Sequence, residues 1–568
     1  MSTKFRSASV GLIAIAVAIV LAACGSSNSS SSGSGSGSAS SSTTAKTGGT
    51  VSMVMGTAPQ SLDPGLDYTT QGTEVNWLVY TGLTDYAHKN GNAGAQLIPG
   101  LATALPVISD GGKTYTATLR KGLVYSNGQS VKASDFTHAV ERAIDIPWGG
   151  SGSFITPTIV GAQAYASHKS KTISGIVTND ATGKIVIHLV KAYGPFDNVL
   201  AFPSVALIPS STPMKVEPTS PPPGVGPYMV KNIVPNDSFS VVKNPEWKKM
   251  DIPGIPAGYA STINVKINAN VEANALSVLN NSTDIFDWAD TIPGSLITQI
   301  KSQAASRYKQ VNLGGSTYYV FMNTQKAPFS NQLAREAVVT GLNQEAFSRL
   351  GAGTLEPACY FLPPDVPGHP SSSTKCPYGT PGTGNLAKAK ALLKQSGMAG
   401  TPVTVWSETR SPRQQWMVYY TQYLNQLGFK ATLKVIADGT YFTTIGESKS
   451  LSPQTGFADW NQDFPNPVDF YGPLLTGQSI LPTDNENYSL VNDPYVNKTV
   501  AKLGATPTTQ LSSVAAAWQK LDEYVAKKAY VGVFGYQTFP EFASDKIDYG
   551  ALVFNPIYGW DLSSFALK

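Results

Sequence analysis

Arg120-Lys121-Gly122-Leu123-Val124-Tyr125-Ser126-Asn127-Gly128, followed by Val131-Lys132-Ala133-Ser134-Asp135-Phe136, is the stretch on which the reading of this chain turns. Asn127-Gly128 signals a tight turn, because both residues tolerate left-handed backbone. Just upstream, Thr114-Tyr115-Thr116-Ala117-Thr118-Leu119 is rich in β-branched and aromatic residues and predicts a strand. Downstream, Ser134 predicts the cap of a helix over 134–144. Strand, turn and capped helix in close succession point to mixed α/β structure.

The same alternation extends outward in both directions. Gly48-Gly49-Thr50-Val51-Ser52-Met53-Val54-Met55 alternates as a strand does, and Ser61-Leu62-Asp63-Pro64 then makes a turn. Residues 73–82 predict a helix, with Val75, Leu78 and Val79 at i, i+3 and i+4. After the connection Pro221-Pro222-Pro223, Gly226 and Pro227 begin a strand, which fits a crossover between subdomains. A short helix over 273–280 precedes Thr283-Asp284-Ile285-Phe286-Asp287, a strand with polar ends. Residues 334–350 read as one amphipathic helix, with Ala337, Val338, Gly341 and Leu342 on a stripe. Helices over 387–395 and 414–427 end near Gly397 and Gly428, and a last long one covers 511–527.

Length and composition narrow the class. A chain of 568 residues exceeds a single core, so two or three lobes are expected. Charged residues are sparse at 14%, whereas Gly (52), Pro (39) and Tyr (26) are plentiful, a profile that suits a loop-rich exported protein. A net charge of +4 without a basic cluster gives no footprint for nucleic acid.

The first residues carry an export signal: Lys4 and Arg6, an apolar run over 10–22, then Leu21-Ala22-Ala23-Cys24-Gly25. The apolar run is short for a membrane span. Leu-Ala-Ala-Cys resembles the lipobox of bacterial lipoproteins, which implies that Cys24 is acylated and becomes the new N-terminus. Several acyl chains would give stable membrane attachment. Residues 25–47 are almost entirely Ser, Gly, Thr and Ala, and such a segment reads as a flexible tether. With Cys24 assigned to lipid, Cys359 and Cys376 remain, and in an oxidising compartment they predict a disulfide across a Pro/Gly/Ser-rich loop. Two free thiols are the alternative; zinc is not expected, because only His369 is nearby to complete a four-ligand set.

Several marks then fall into register: Ser61-Leu62-Asp63-Pro64, Tyr80-Thr81-Gly82-Leu83, Pro99-Gly100-Leu101-Ala102, the 119–128 block, and Gly224-Val225-Gly226-Pro227-Tyr228. Asn244-Pro245-Glu246-Trp247 and Asn323-Thr324-Gln325-Lys326-Ala327-Pro328-Phe329 follow. In this order the marks resemble family 5 of the bacterial solute-binding proteins, the peptide- and nickel-type receptors of ABC importers, from Gly48 nearly to the C-terminus. The resemblance implies an α/β, two-lobe, type II periplasmic-binding-protein fold with an extra subdomain in lobe I. It divides the chain into a signal peptide (1–24), a tether (25–47), lobe I (48–315, with the subdomain at about 85–210), lobe II (316–535) and a C-terminal return to lobe I (536–568). Tyr318-Tyr319-Val320-Phe321 and Val531-Gly532-Val533-Phe534 are the candidates for the hinge crossings.

The chemistry centres on Trp460-Asn461-Gln462-Asp463-Phe464-Pro465-Asn466-Pro467, which sets one carboxylate among aromatic residues and prolines. Such a carboxylate suits a ligand ammonium group, although a Pro-rich surface turn would read the same way. The resemblance gives Asp463 the role of holding a peptide α-ammonium, with Trp460 as an aromatic wall and Tyr68, Thr69 and Thr70 offering backbone groups to an extended ligand. Tyr536 is a further candidate for the cleft. Where oligopeptide-binding relatives can carry an arginine for the ligand carboxylate, three residues before Trp460, this chain has Phe457. Arg410 or Arg413 could supply that charge, since an uncompensated carboxylate in a closed cleft is costly. An enzyme is not expected: there is no Gly-x-Ser-x-Gly elbow, His-Glu-x-x-His or phosphate-binding loop, and His88, His138, His188 and His369 are scattered. Asp287 and Asp290 form a carboxylate pair by sequence, which does not establish the spacing a glycosidase needs. The expectation is a lipid-anchored monomer at the outer face of the cell membrane. It would bind peptides by hinge closure and deliver them to permease subunits, without cofactor or metal. Nickel chelates, oligosaccharides or a non-transport sensor role are the alternatives.

Overall fold

The computed structural model describes residues 45–146, 152–312 and 314–568. Cys24 and the export signal lie outside the described residues, as does the tether up to residue 44. No helix among the described residues is long and apolar enough to cross a membrane.

Two large sheets and one small one organise the described residues. The first sheet runs Ile285–Phe286, Thr50–Met55, Thr262–Ile267, Ser238–Lys243, Tyr228–Val234. Its first pairings are parallel and the rest antiparallel. The alternation in Thr50–Met55 is real: Val51, Met53 and Met55 are buried in one core with Val75 and Leu78 of the helix Thr70–Val79. Trp560, Leu562 and Phe565 from the C-terminal end pack into the same core.

The second sheet runs Tyr308–Asn312, Val531–Phe542, Ser316–Met322, Thr455–Asn461, Pro402–Glu408, Lys430–Ile436. Pro402–Glu408 and Lys430–Ile436 are parallel neighbours joined by the helix Arg413–Leu427, a crossover unit in which the first strand is largely buried and the second is a largely exposed edge. Val531–Phe542 is unusually long. Its first half pairs with Ser316–Met322 and its second with Tyr308–Asn312, and Ala543 just beyond bridges Ile285 of the first sheet. The small antiparallel sheet, Val107–Ser109, Thr114–Thr118, Lys184–His188, Ile176–Asn179, lies within the 85–210 region.

Several sequence marks turn out to be structural anchors. Asp63 takes a bidentate pair from Arg142 at 2.6 and 2.7 Å, and also accepts the N–H groups of Gly65 and Glu217. Both partners are fully buried, so this pair is held by four directed hydrogen bonds rather than by charge alone. A side chain at Gly226 would strike the carbonyls of Leu78 and Val79, which is why a glycine opens that strand. Gly128 has φ +84°, as the tight turn requires.

Three helix readings need correction. Residues 334–350 form two helices, Gln332–Gly341 and Gln344–Leu350, because the Asn343 side chain caps the second at Ala346 N and ends the run. Ser134 is not the cap of Ser134–Asp145. Its amide and hydroxyl bind Asp180, while Asp135 Oδ2 accepts the Lys132 N–H at 2.9 Å. The long helix expected at 511–527 is a 3₁₀ turn, Thr508–Val514, leading into Ala515–Lys528. The disulfide joins Cys359 to Cys376, as the cysteine count anticipated.

Candidate ligand-binding cleft

The strand Thr455–Asn461 ends at Trp460-Asn461, and the helix Pro467–Leu475 begins six residues later. Asn466 caps that helix by accepting from Val468 N, and Pro467 occupies its first position, where a missing N–H does no harm. The short loop between them is shaped by Asp469, fully buried in the first helical turn. Its Oδ2 accepts the Asp463 N–H at 2.9 Å and the Trp460 Nε1–H at 3.3 Å.

This geometry presents Asp463 away from its own helix. Its Oδ2 accepts a hydrogen bond from the Tyr68 hydroxyl, which comes from the segment leading into Thr70–Val79 beside the first sheet. The Tyr68 ring lies 6.4 Å from the Trp460 ring at a tilt of 56°. Asp463 therefore sits where the two large sheets' segments meet. Phe464, next along, is completely buried among residues of the small-sheet region, with ring centroids 5.4 Å from Phe154 and 6.1 Å from Phe202.

The electrostatics of the loop are one-sided. Burial pushes Asp463 up to about 7. Asp469 is raised well above the carboxylate range by burial and by Asp463, and Glu486 by burial, Asp463 and Asp484. Burial and the same carboxylates raise the Tyr68 phenol. Among the described residues, no lysine, arginine or histidine forms an ion pair with these carboxylates, and the main causes of their shifts are burial, one another and local hydrogen bonds.

A pH dependence follows. A solvated aspartate titrates near 4. A raised folded value favours the buried arrangement below about 4, and that contribution is lost as pH rises through about 7. Ligand-free protein is expected to be more compact at pH 5 than at pH 8 by small-angle scattering. An unchanged radius of gyration would show that the Tyr68–Asp463 contact does not open.

Between the sheets a second polar junction forms. Arg410 Nη2 donates to the Ala289 carbonyl at 2.6 Å and lies 3.9 Å from Asp290, which also accepts the Gly56 N–H. Among the described residues, no group of three His, Cys, Asp or Glu side chains could hold a metal ion.

Residues 96–481 match the profile of bacterial extracellular solute-binding proteins, family 5 Middle. The chain belongs to family 5 of the bacterial solute-binding proteins. It is 27% identical over 401 residues to the glutathione-binding protein GsiB of Salmonella choleraesuis (strain SC-B67), covering 66% of this chain and 69% of that one. Among solved structures, clavulanic acid biosynthesis oligopeptide binding protein 2 superimposes with a TM-score of 0.78 at 21% identity, covering 92% and 96% of the two chains. The periplasmic binding protein DppA from Helicobacter pylori, in complex with the peptide STSA, gives 0.75 at 19% identity, covering 92% and 98%. The two-lobe, type II periplasmic-binding-protein fold is thereby shown, and the family is one of binding proteins rather than enzymes.

Within this family 5 fold the remaining candidates separate. Trp460 and Tyr68 flank Asp463. Thr69 is the N-cap of Thr70–Val79: its hydroxyl accepts from Gly72 N and donates to Asp67, and its amide is held by the same Asp67 oxygen. Thr70 Oγ1 donates to Gln71 Oε1. The 68–70 segment is therefore the entry to a helix, with Thr69 in extended backbone at φ −104° and ψ 151°. Arg413 is a correction. Its guanidinium is buried, pairs with Glu408 and Asp459 at 2.7 Å each, and lies 4.6 Å over the Phe457 ring. Both ends of its fork are thus engaged by the protein's own carboxylates. Tyr536 is another: its hydroxyl donates to the carbonyls of Tyr360 and Leu362, beside the disulfide loop. Asp469 and Glu486 escaped the sequence reading. Asp469 looks like an ordinary first-turn acid, and Glu486 like part of the polar run Asp484-Asn485-Glu486-Asn487.

Proposed function

We propose that this protein is the substrate-binding component of an ABC importer and captures peptides by their free amino terminus. The observation that carries this reading is Asp463, held between the lobes against Tyr68, with no ion pair to a cationic side chain among the described residues. A ligand ammonium would supply the missing charge through a charge-assisted hydrogen bond in a poorly hydrated site. The peptide bound by the Helicobacter pylori relative supports the same class.

Glutathione, the ligand named for the Salmonella relative, is the competing reading. It is a peptide with two carboxylates, and here Arg413 is paired with Glu408 and Asp459 while Arg410 is turned onto Ala289 and Asp290. An acidic pocket without a free arginine favours neutral or basic peptides. Tyr318-Tyr319-Val320-Phe321, expected as a crossing, lies inside the second sheet between Thr455–Asn461 and Val531–Phe542; the lobe division at about 315 and 535 is instead supported by the pairing of Tyr308–Asn312 with the far half of Val531–Phe542, where we place the hinge. Closure would be favoured by ligands that contact both lobes. The Leu21-Ala22-Ala23-Cys24 motif supports lipid anchoring through Cys24.

Calorimetry with Ala-Ala-Ala and its N-acetyl form tests the proposal. The free amine is expected to bind about 100-fold more tightly, since a buried charge left unpaired costs about 3 kcal/mol or more. Equal affinities would sink it.

A further inference from the structure

A cavity of about 640 Å³ lies between the small-sheet region and the second lobe, walled by Ile144, Phe154 and Tyr193 on one side and Val468 and Pro473 on the other. That volume falls within the range of sites for small organic ligands. Its walls are mostly apolar, yet Glu486 also lines it. Glu486 is only 7% exposed, and among the described residues its carboxylate makes neither a hydrogen bond nor an ion pair, its charged neighbours being Asp463 and Asp484. Lys191 lines the cavity too, but it is an exposed residue.

The cavity adjoins the Asp463 loop: Phe154 in one wall stands 5.4 Å from the ring of Phe464, the residue after Asp463, and Val468 in the other wall lies in the first turn of the helix that follows the loop. Tyr193, in its wall, feels Asp469 and Asp463, and Tyr68 feels Glu486 together with both. The three carboxylates are not equivalent. Asp469 is occupied by the Asp463 amide and the Trp460 indole N–H, and Asp463 by the Tyr68 hydroxyl. One ligand α-ammonium at Asp463 would leave Glu486 as a nine-tenths buried carboxylate without a counter-charge. Such a group is costly unless something cationic reaches it. A long basic side chain meets both demands, because its methylene stem suits apolar walls while its head carries the charge.

We infer that this chamber is a second subsite for the same ligand, taking a lysyl or arginyl side chain whose stem lies along Phe154, Tyr193 and Val468 and whose charged head pairs with Glu486. The inference rests on the peptide reading above and specifies it: the preferred cargo is a peptide with a basic residue near its free amino terminus. Glu486 then sets specificity, whereas Asp463 sets the requirement for an amine.

Calorimetry at pH 8 with Lys-Ala-Ala, norleucyl-Ala-Ala and Ala-Ala-Ala tests this, using the wild-type protein, Glu486→Gln and Glu486→Asp, each checked for an unchanged thermal melt. The wild-type protein should bind the lysyl peptide at least tenfold more tightly than the norleucyl one. Glu486→Gln should bring that ratio close to one, and Glu486→Asp should retain most of it. A wild-type ratio below about two, or a ratio that survives Glu486→Gln, would overturn the subsite while leaving the peptide reading intact. If none of the three peptides binds the wild-type protein, both fall together.

Discussion

Asp463→Ala is expected to abolish measurable binding of free-amine peptides, by a factor of at least about 100, while the protein folds with an unchanged or slightly higher melting temperature. The two halves of that expectation have the same origin. In the ligand-free protein Asp463 is pushed up to about 7 by burial, so at neutral pH it is a strained group rather than a stabilising one. Removing it relieves that burden and leaves the Tyr68 hydroxyl to find water or another acceptor. In the complex the same carboxylate is the partner of a buried ammonium, and deleting one member of such a pair costs about 3–5 kcal/mol. Calorimetric titration with Ala-Ala-Ala beside a thermal melt separates the two effects. Retained affinity, or lost affinity with a collapsed melting temperature, would each remove Asp463 from the role proposed.

Arg413→Ala is expected to do the reverse: to damage the fold far more than any ligand contact. Arg413 bridges the ends of Pro402–Glu408 and Thr455–Asn461 by pairing with Glu408 and Asp459, and its flat face covers Phe457. Burial pushes Glu408 up to about 8 despite the neighbouring guanidinium, and Asp459 lies 2.7 Å from the other arm of the fork. Truncation would leave Asp459 buried without a cation and open a cavity over Phe457. A loss of about 3–5 kcal/mol is expected, read as a lower denaturant midpoint for the second lobe. Lysine should rescue little, since a single ammonium does not reproduce the planar fork that reaches both carboxylates. A variant as stable as the wild type would mean that the site can rehydrate.

Much of this architecture was legible before any coordinates. Val51, Met53 and Met55 announced their strand by alternation, and Gly226 announced a crowded backbone. The motif marks worked because each encodes a local necessity, as Asp63 does in gathering Arg142 and two backbone amides. Helix ends were less readable where two capping residues competed, as with Ser134 and Asp135. The site divided along the same line. Asp463 stood out because aromatic and proline neighbours surround it in the chain itself. Its tie to the Tyr68 hydroxyl spans 395 residues and has no local signature. Arg413 and Arg410 carry equal charge in neighbouring positions, and only the fold decides that one closes over Phe457 while the other reaches Ala289.

Phe464 carries a kinetic corollary. Its ring is wholly enclosed beside Phe154 and Phe202, one residue from the carboxylate proposed to hold the cargo. On the proposed hinge motion, letting the cargo go means withdrawing that ring into water, an uphill step of about 2–3 kcal/mol before any ionic contact is broken. The plug is indifferent to what has been captured. It lengthens the residence time of every passenger alike, and leaves the permease to prise the jaws apart.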